Sequence, residues 1–177
     1  MKKLLIAICL IGSLFAGEYE DAVQMIKSGQ VEKGISKLEQ VAKTGNVDAQ
    51  YSLGTLYLYG VPNLGIKSEP EKAFKWLLAS AKQGNSLAQT NLGLMYYHGQ
   101  GIKKDYKKAF KWLLASAKQG NSLAQYNVGL MYYYGQGTKM DKIKSYEWLL
   151  KAARQGNTEA QRSLDVLCKE SPWACKQ

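Results

Sequence analysis

The sequence predicts an all-α protein, specifically an α/α solenoid made of helical hairpins. The main observation is an internal repeat, because the eighteen residues 72–89 recur letter for letter at 108–125. Trp76, Trp112 and Trp148 follow one another at a fixed step of 36 residues. A period of about 20–50 residues is typical of solenoids, in which each repeat buries its apolar face against its neighbours.

Residues 1–17 are predicted to be a signal peptide. Lys2 and Lys3 precede an apolar run at 4–15, which ends in the small residues Ala16 and Gly17. This run is shorter than the roughly 20 residues that span a bilayer, which leaves an uncleaved anchor as the less favoured alternative. We therefore expect export of the chain to the periplasm or to the medium.

Residues 18–45 are predicted to form an N-terminal capping hairpin. Two helical stretches, 19–27 and 31–43, are separated at Ser28 and Gly29. The segment lacks the tryptophan of the later repeats, as expected for a terminal unit of a solenoid.

Three full repeats follow, at 46–84, 85–120 and 121–156. Asn85, Asn121 and Asn157 each precede a first helix, where an asparagine is a favoured N-cap. In the second repeat Ala88, Leu92 and Met95 form the apolar stripe of the first helix, and Asp105 caps the second.

The packing inside each hairpin is predicted from two residue types. The three repeat tryptophans are expected to be buried at the contact between the two helices. Gly93 and Gly129 lie in mid-helix, where glycine costs about 1 kcal/mol, so we expect them to mark close helix crossings.

The first full repeat carries three extra residues between its helices, within 60–66. Its second helix begins either with a capping box at 68–71 or with Glu69 as N-cap and Pro70 in the first turn.

Residues 157–177 are predicted to be a C-terminal half-repeat with one helix, at 159–168. Cys168 and Cys175 are the only cysteines after residue 17, and an even pair in an exported protein favours a disulfide. A metal or redox pair is the alternative, but two thiols without a nearby histidine make a poor zinc site.

The repeat residues resemble the Sel-1-like repeat, a relative of the tetratricopeptide repeat. In the second repeat the matching positions are Ala88, Leu92, Gly93, Tyr96, Gly99, Gly101, Asp105, Lys108, Ala109, Trp112, Ala117 and Gly120. The resemblance implies a right-handed superhelix that acts as an adaptor. A more distant similarity is to the secreted Helicobacter cysteine-rich proteins, some of which are described as penicillin-binding or β-lactamase proteins. Those proteins carry a cysteine pair in nearly every unit, whereas the full repeats here hold none.

The resemblance to tetratricopeptide proteins also implies that first helices line a concave ligand groove. Projecting the register places fourteen residues there: Tyr51, Thr55, Tyr59, Thr90, Asn91, Leu94, Tyr97, His98, Tyr126, Asn127, Leu130, Tyr133, Tyr134 and Arg162. Tyrosine is enriched at interfaces because it offers a large amphipathic contact area. Asn91 and Asn127 either hold a peptide backbone or bridge the repeats internally.

The residues that known catalytic sites require are missing from this sequence. After residue 17 no serine has a lysine three positions later, as a serine β-lactamase requires. His98 is the only histidine, which argues against a metal-dependent hydrolase. We expect no catalytic residue, no metal and no cofactor.

The chain is basic, with 24 Lys and Arg against 14 Asp and Glu, which favours anionic partners such as lipid, cell-wall polymer or nucleic acid. The lysines recur regularly in every repeat, however, as on solvated helix faces. The leading hypothesis is therefore an exported, non-catalytic module that binds a protein or peptide, with a cell-envelope component as a further possible partner and without nucleic acid or an integral membrane span. The alternative is a weak β-lactamase or a protein that binds peptidoglycan fragments.

Overall fold

The computed structural model describes residues 17–176, which form α-helices joined by short turns. The signal-peptide prediction concerns residues 1–17, nearly all of which lie outside this part. The helices are α1 (17–27), α2 (Val31–Lys43), α3 (Val47–Tyr59), α4 (Pro70–Lys82), α5 (Ser86–His98), α6 (Tyr106–Lys118), α7 (Ser122–Tyr134), α8 (Lys142–Arg154) and α9 (Thr158–Glu170). Short 3₁₀ helices occupy Pro62–Leu64 and Pro172–Cys175. Consecutive helices pack as hairpins, which confirms the all-α, solenoid-like class.

The helix starts are fixed by side-chain caps. The side-chain oxygens of Asn85, Asn121 and Asn157 each accept a hydrogen bond from the backbone N–H three residues later, at 2.8–2.9 Å. Asp105 and Asp141 do the same at α6 and α8, at 2.9 Å. Each cap satisfies one of the backbone donors that a helix leaves unpaired at its N-terminus. The predicted caps are therefore confirmed.

The second helix of the first repeat, α4, begins with Glu69 at the N-cap and Pro70 at the first helical position. No side-chain bond closes the alternative capping box, because the Ser68 hydroxyl donates to the Leu58 carbonyl instead, at 2.8 Å. The three extra residues form the 3₁₀ helix Pro62–Leu64, which ends at Gly65 with a positive φ of 72°. The insertion thus lengthens only the turn between the helices.

Each full repeat has a close helix crossing at a glycine. A Cβ on Gly93 would lie 2.6 Å from Cγ of Leu113, and one on Gly129 would lie 2.7 Å from Cγ of Leu149. Gly54 meets Leu77 in the same way, at 2.5 Å. These distances are too short for any side chain larger than hydrogen, which confirms the packing role predicted for Gly93 and Gly129.

The expectation that the repeat tryptophans are buried was wrong. Trp76, Trp112 and Trp148 are only half-buried, whereas Leu77, Leu113 and Leu149, each one position later, are at most 1% exposed. One position is about 100° around a helix, so the leucine faces the glycine of the partner helix and the tryptophan lies beside the contact. Lys75 and Lys151 place their ammonium groups over Trp76 and Trp148, at 5.6 and 4.4 Å.

A pair of glutamines ties each repeat together. The Gln119 amide donates to the side-chain oxygen of Gln89 at 2.8 Å, and Gln155 donates to Gln125 at 2.6 Å. Gln89 and Gln125 are about 95% buried, so these bonds satisfy polar groups inside the hairpin.

The chain divides at residue 83 into two compact units. The first is built around the buried side chains of Leu38, Leu53 and Leu77. The second has one cluster around Leu113 and Met131 and another around Leu149, Leu164 and Leu167.

The C-terminal end is closed by the short 3₁₀ helix Pro172–Cys175, which packs against α8 and α9. Its Ala174 is fully buried. Cys168 and Cys175 are joined by a disulfide, which fastens this segment to the end of α9.

Candidate functional site

The residues predicted to line a groove differ widely in exposure. Tyr59 and Tyr134, at the same position of two repeats, are 65% and 60% exposed, and His98 and Arg162 are also exposed. Half-buried are Tyr51, Thr55, Asn91, Leu94, Tyr97, Tyr126, Asn127, Leu130 and Tyr133.

Thr90 does not belong to an open surface and is removed from the set. It is 3% exposed, and its hydroxyl lies 2.8 Å from the Ser116 hydroxyl of the second helix. The side chain also donates to the Ser86 carbonyl, at 3.0 Å. Thr90 therefore joins α5 to α6, and its burial keeps the hydroxyl away from an open groove.

In the first unit, three tyrosines lie near one another. The pKa of Tyr51 is raised by burial and by the neighbouring hydroxyls of Tyr59 and Tyr19. The Tyr19 hydroxyl lies 3.0 Å from that of Ser52. Thr55 donates to the carbonyls of its own helix and does not reach outward.

In the second unit, Tyr97 joins consecutive repeats. Its hydroxyl donates to the Gln136 side-chain oxygen at 2.8 Å, and its ring meets Tyr106 and His98 edge-on at 5.1 and 5.0 Å. Leu94 and Tyr97 also pack against the cluster formed by α6 and α7. Through its bond to Gln136, Tyr97 contributes to cohesion between repeats as well as to the surface.

One of the two predicted asparagines bonds within its own helix. The Asn127 amide donates to the Leu123 carbonyl of its own helix at 2.7 Å, so it bridges no repeat. Tyr126 and Leu130 pack against the last core cluster, as does Tyr133.

Four of the predicted residues come together in a cleft between α7 and α9. Leu130, Tyr133, Tyr134 and Arg162 line a cavity of about 310 Å³. The remaining walls are Leu149, Ser163, Val166 and Glu170. We call this cavity the α7–α9 cleft.

The α7–α9 cleft has an apolar interior with charged groups at its rim. Tyr134 and Val166 are 60% and 52% exposed. The Tyr133 hydroxyl donates to the Glu170 carboxylate, which raises the pKa of Tyr133. Arg162 pairs with Glu159 at 2.7 Å, where both side chains are well exposed to solvent. The cleft can therefore bind an apolar side chain while offering both a cation and an anion to polar groups.

Val166 and Glu170 are functional candidates that the sequence reasoning missed. With Arg162 they are spaced four residues apart on α9, so the three side chains follow one face of that helix. The four-residue spacing can be recognised in the sequence, but the exposure of Val166 cannot.

A second concavity, of about 780 Å³, lies in the first unit between the α1–α2 turn and the inserted 3₁₀ segment. Tyr57 reaches its wall and donates its hydroxyl to Glu39 at 2.9 Å. Burial and this hydrogen bond raise the pKa of Tyr57 to about 12.

Two kinds of feature are absent from residues 17–176. No cluster of three or more His, Cys, Asp or Glu side chains suited to a metal ion occurs there. None of the helices in this range is both long enough and apolar enough to cross a bilayer.

The comparison with protein families finds the Sel1 repeat three times, at residues 47–85, 86–121 and 122–157. A comparison with curated proteins found no match.

Several solved structures are similar to this chain. A Sel1 repeat protein from Oxalobacter formigenes is 37% identical, with a TM-score of 0.65 over 73% of this chain and 96% of that one. The protein c5321, a protective antigen present in uropathogenic Escherichia coli strains, is 28% identical, with a TM-score of 0.74 over 86% of this chain and 36% of that one. Cysteine-rich protein B of Helicobacter pylori has a TM-score of 0.55 at 21% identity, over 73% of this chain and 96% of that one, and shares the fold.

The three matched repeats cover well over half of the sequence, and they coincide with the three hairpins that cross at Gly54, Gly93 and Gly129. The chain therefore belongs to the Sel1 repeat family.

Proposed function

We propose that this protein is an exported, non-catalytic adaptor that binds a segment of another protein in the α7–α9 cleft. Sel1 repeats generally serve as scaffolds for protein–protein interaction. The observation that carries the proposal is the exposed Tyr134 and Val166 beside Arg162 in a cavity of about 310 Å³.

The size and lining of the cleft favour a protein segment over a small molecule. Its volume is at the lower end of the roughly 300–1,000 Å³ typical of small-molecule sites. A tyrosine, an arginine and an apolar wall are typical of the anchors that dominate protein interfaces. We therefore expect one or two apolar side chains of the partner to enter, while its polar groups meet Arg162 and Glu170.

Export is supported by three observations. The amino-terminal pattern of lysines, apolar run and small residues is typical of a secretory signal. The Cys168–Cys175 disulfide is of a kind that persists in oxidising compartments. The similar Escherichia coli protein is described as a protective antigen, which is consistent with a location accessible from outside the cell.

The experiment is affinity measurement with matched variants, once a partner has been isolated from the cell envelope. Tyr134→Ala should weaken binding by at least about 30-fold, because truncating a central interface tyrosine typically costs about 2 kcal/mol or more. Leu123→Ala is the control, since Leu123 is a 47% exposed apolar residue of the same helix outside the cleft. Equal losses from both variants would contradict the proposal.

A further inference from the structure

From residue 18 onward, the net positive charge lies in the second of the two units. Residues 18–83 contain eight Lys and Arg and eight Asp and Glu, whereas residues 84–177 contain fourteen against six. Lysines recur regularly on the helices of the repeats. The excess of positive charge in the second unit therefore favours this unit as the one that binds an anionic partner.

Three of the fourteen basic residues of this unit lie in the turns between the helices of its hairpins. Lys103 and Lys104 precede α6, and Lys139 occupies the equivalent place before α8. All three are exposed, and within residues 17–176 none of them forms an ion pair. Their charges are therefore available to a partner.

The acidic residues of the same turns are already engaged. Asp105 caps α6 and pairs with Lys108 at 3.7 Å, and Asp141 caps α8 and pairs with Lys144 at 2.9 Å. Because these two aspartates are already paired, they offset the positive charge of the turn lysines only in part.

The successive turns are held at one edge of the unit. The hydrogen bond from Tyr97 to Gln136 joins the end of α5 to the second turn, and a Cβ on Gly137 would collide with the carbonyl of Tyr106 at the start of α6. The second turn meets the C-terminal segment, because the Lys142 ammonium donates to the Ser171 hydroxyl at 2.7 Å.

Two large apolar side chains project at this edge. Met140 and Trp173 are 62% and 59% exposed, and both line a cavity of about 340 Å³ with Asp141, Lys142 and Ile143. An exposed tryptophan has an apolar ring with one polar N–H, a combination that favours the boundary between lipid headgroups and acyl chains.

We propose that this edge, formed by Lys103, Lys104, Lys139, Met140 and Trp173, docks on an anionic phospholipid surface. The lysines attract the negative headgroups, and Met140 and Trp173 insert at the boundary with the acyl chains. A soluble anionic polymer would explain the lysines but gives no reason for two apolar side chains exposed beside them. The edge uses none of the residues that line the α7–α9 cleft, so this inference is independent of the proposed function.

The test is sedimentation with vesicles of phosphatidylcholine, with and without about a third of phosphatidylglycerol. The protein spans residues 17–177, which contain all the described helices and their buried cores, so that the apolar run 4–15 does not itself bind lipid. We expect binding to the anionic vesicles that weakens with added salt, and little binding to the neutral ones.

Two variants test the edge itself. Replacing Lys103, Lys104 and Lys139 together with Gln should weaken binding by about a hundredfold, since each lysine near such a surface contributes about fivefold. Trp173→Ala should weaken it by at least about tenfold at unchanged charge. Circular dichroism should show unchanged helix content, because all four side chains are exposed.

The charge-matched control replaces Lys33, Lys43 and Lys82 with Gln, which removes three exposed lysines from the first unit. An equal loss in this control, equal binding to both kinds of vesicle, or no binding to either would overturn the proposal. Retention on immobilised heparin without vesicle binding would also overturn it, in favour of a soluble anionic polymer.

Discussion

Gly93 sets the distance between the helices of its hairpin because it has no side chain. A Cβ there would lie 2.6 Å from Cγ of Leu113 and 3.2 Å from its backbone nitrogen. Because Leu113 is fully buried, it has little freedom to move aside.

We therefore predict that Gly93→Ala lowers the free energy of unfolding. Overpacking typically costs about 1–3 kcal/mol, which outweighs the gain of up to about 1 kcal/mol in helix propensity. Leu113→Ala alone should cost about 2–5 kcal/mol. When Gly93→Ala is added to the Leu113→Ala variant, it should be neutral or stabilising, because the cavity left by the leucine accepts the new methyl group. Chemical denaturation of the four proteins measures this; additive effects would show that the two residues do not touch.

Tyr57 makes a hydrogen bond whose strength depends on pH. Its pKa is raised from about 10 to about 12 by burial and by the bond to Glu39, so the folded state favours the neutral phenol. A group whose pKa is raised in the folded state contributes its full stabilisation below its unfolded-state pKa. This stabilisation is lost as the pH rises through the folded-state pKa.

The comparison of Tyr57→Phe with the parent protein tests this behaviour. The variant should be less stable by about 1–3 kcal/mol between pH 7 and 9, because a bond to a carboxylate is lost. The difference in unfolding free energy between the two proteins should shrink between about pH 10 and 12, because the Tyr57 phenol of the parent ionises over this range. A difference that stays constant through this range would contradict the assigned hydrogen bond.

At the scale of single residues, the sequence predicted the caps but not the neighbours across a hairpin. Asn85 and Asp105 bond to their own helices, so local sequence is sufficient to identify them. Trp112 and Leu113 both fit an apolar stripe, and only the position of Gly93 on the facing helix decides which of them is buried. Thr90 was misplaced for the same reason, since its partner Ser116 is on the other helix.

At the scale of elements, α9 is followed within the described residues by the short 3₁₀ helix Pro172–Cys175 and not by a second α-helix. The segment Pro172–Cys175 covers part of α8 and α9 and buries Ala174 completely. The disulfide between Cys168 and Cys175 keeps this short segment in position.

We predict that reducing the disulfide, or replacing both cysteines with serine, loosens this end selectively. The closed loop is short, so the loss in unfolding free energy should be at or below about 2–4 kcal/mol. Amide hydrogen exchange should accelerate in α9 more than in α6, which packs against α5 and α7. Uniform acceleration along the chain would contradict a local role.

At the scale of the whole molecule, the repeat of 36 residues was sufficient to predict the fold class, because the same local pattern recurs three times. The surface was less predictable. The α7–α9 cleft includes Val166, which is 52% exposed, and no local pattern in the sequence indicates this exposure. Trp173 is 59% exposed, which local sequence does not indicate either.

We predict that the protein recovered from the periplasm or culture medium begins at residue 17 or 18. Cleavage after Ala16 or Gly17 follows from the small residues at the end of the apolar run. Intact-mass spectrometry of the recovered protein checks both the new terminus and the oxidation of the two remaining cysteines. A chain that retains Lys2 and Lys3, or that carries two free thiols, would contradict export with cleavage.

Site-specific photo-crosslinking in living cells tests whether the α7–α9 cleft holds a protein partner. A photoreactive phenylalanine analogue replaces Tyr134 in one strain and Leu123 in another, because both positions are exposed on α7 and only the first lines the cleft. We expect a discrete cross-linked protein from position 134 that is absent from position 123. The same cross-link from both positions, or none from position 134, would contradict this expectation.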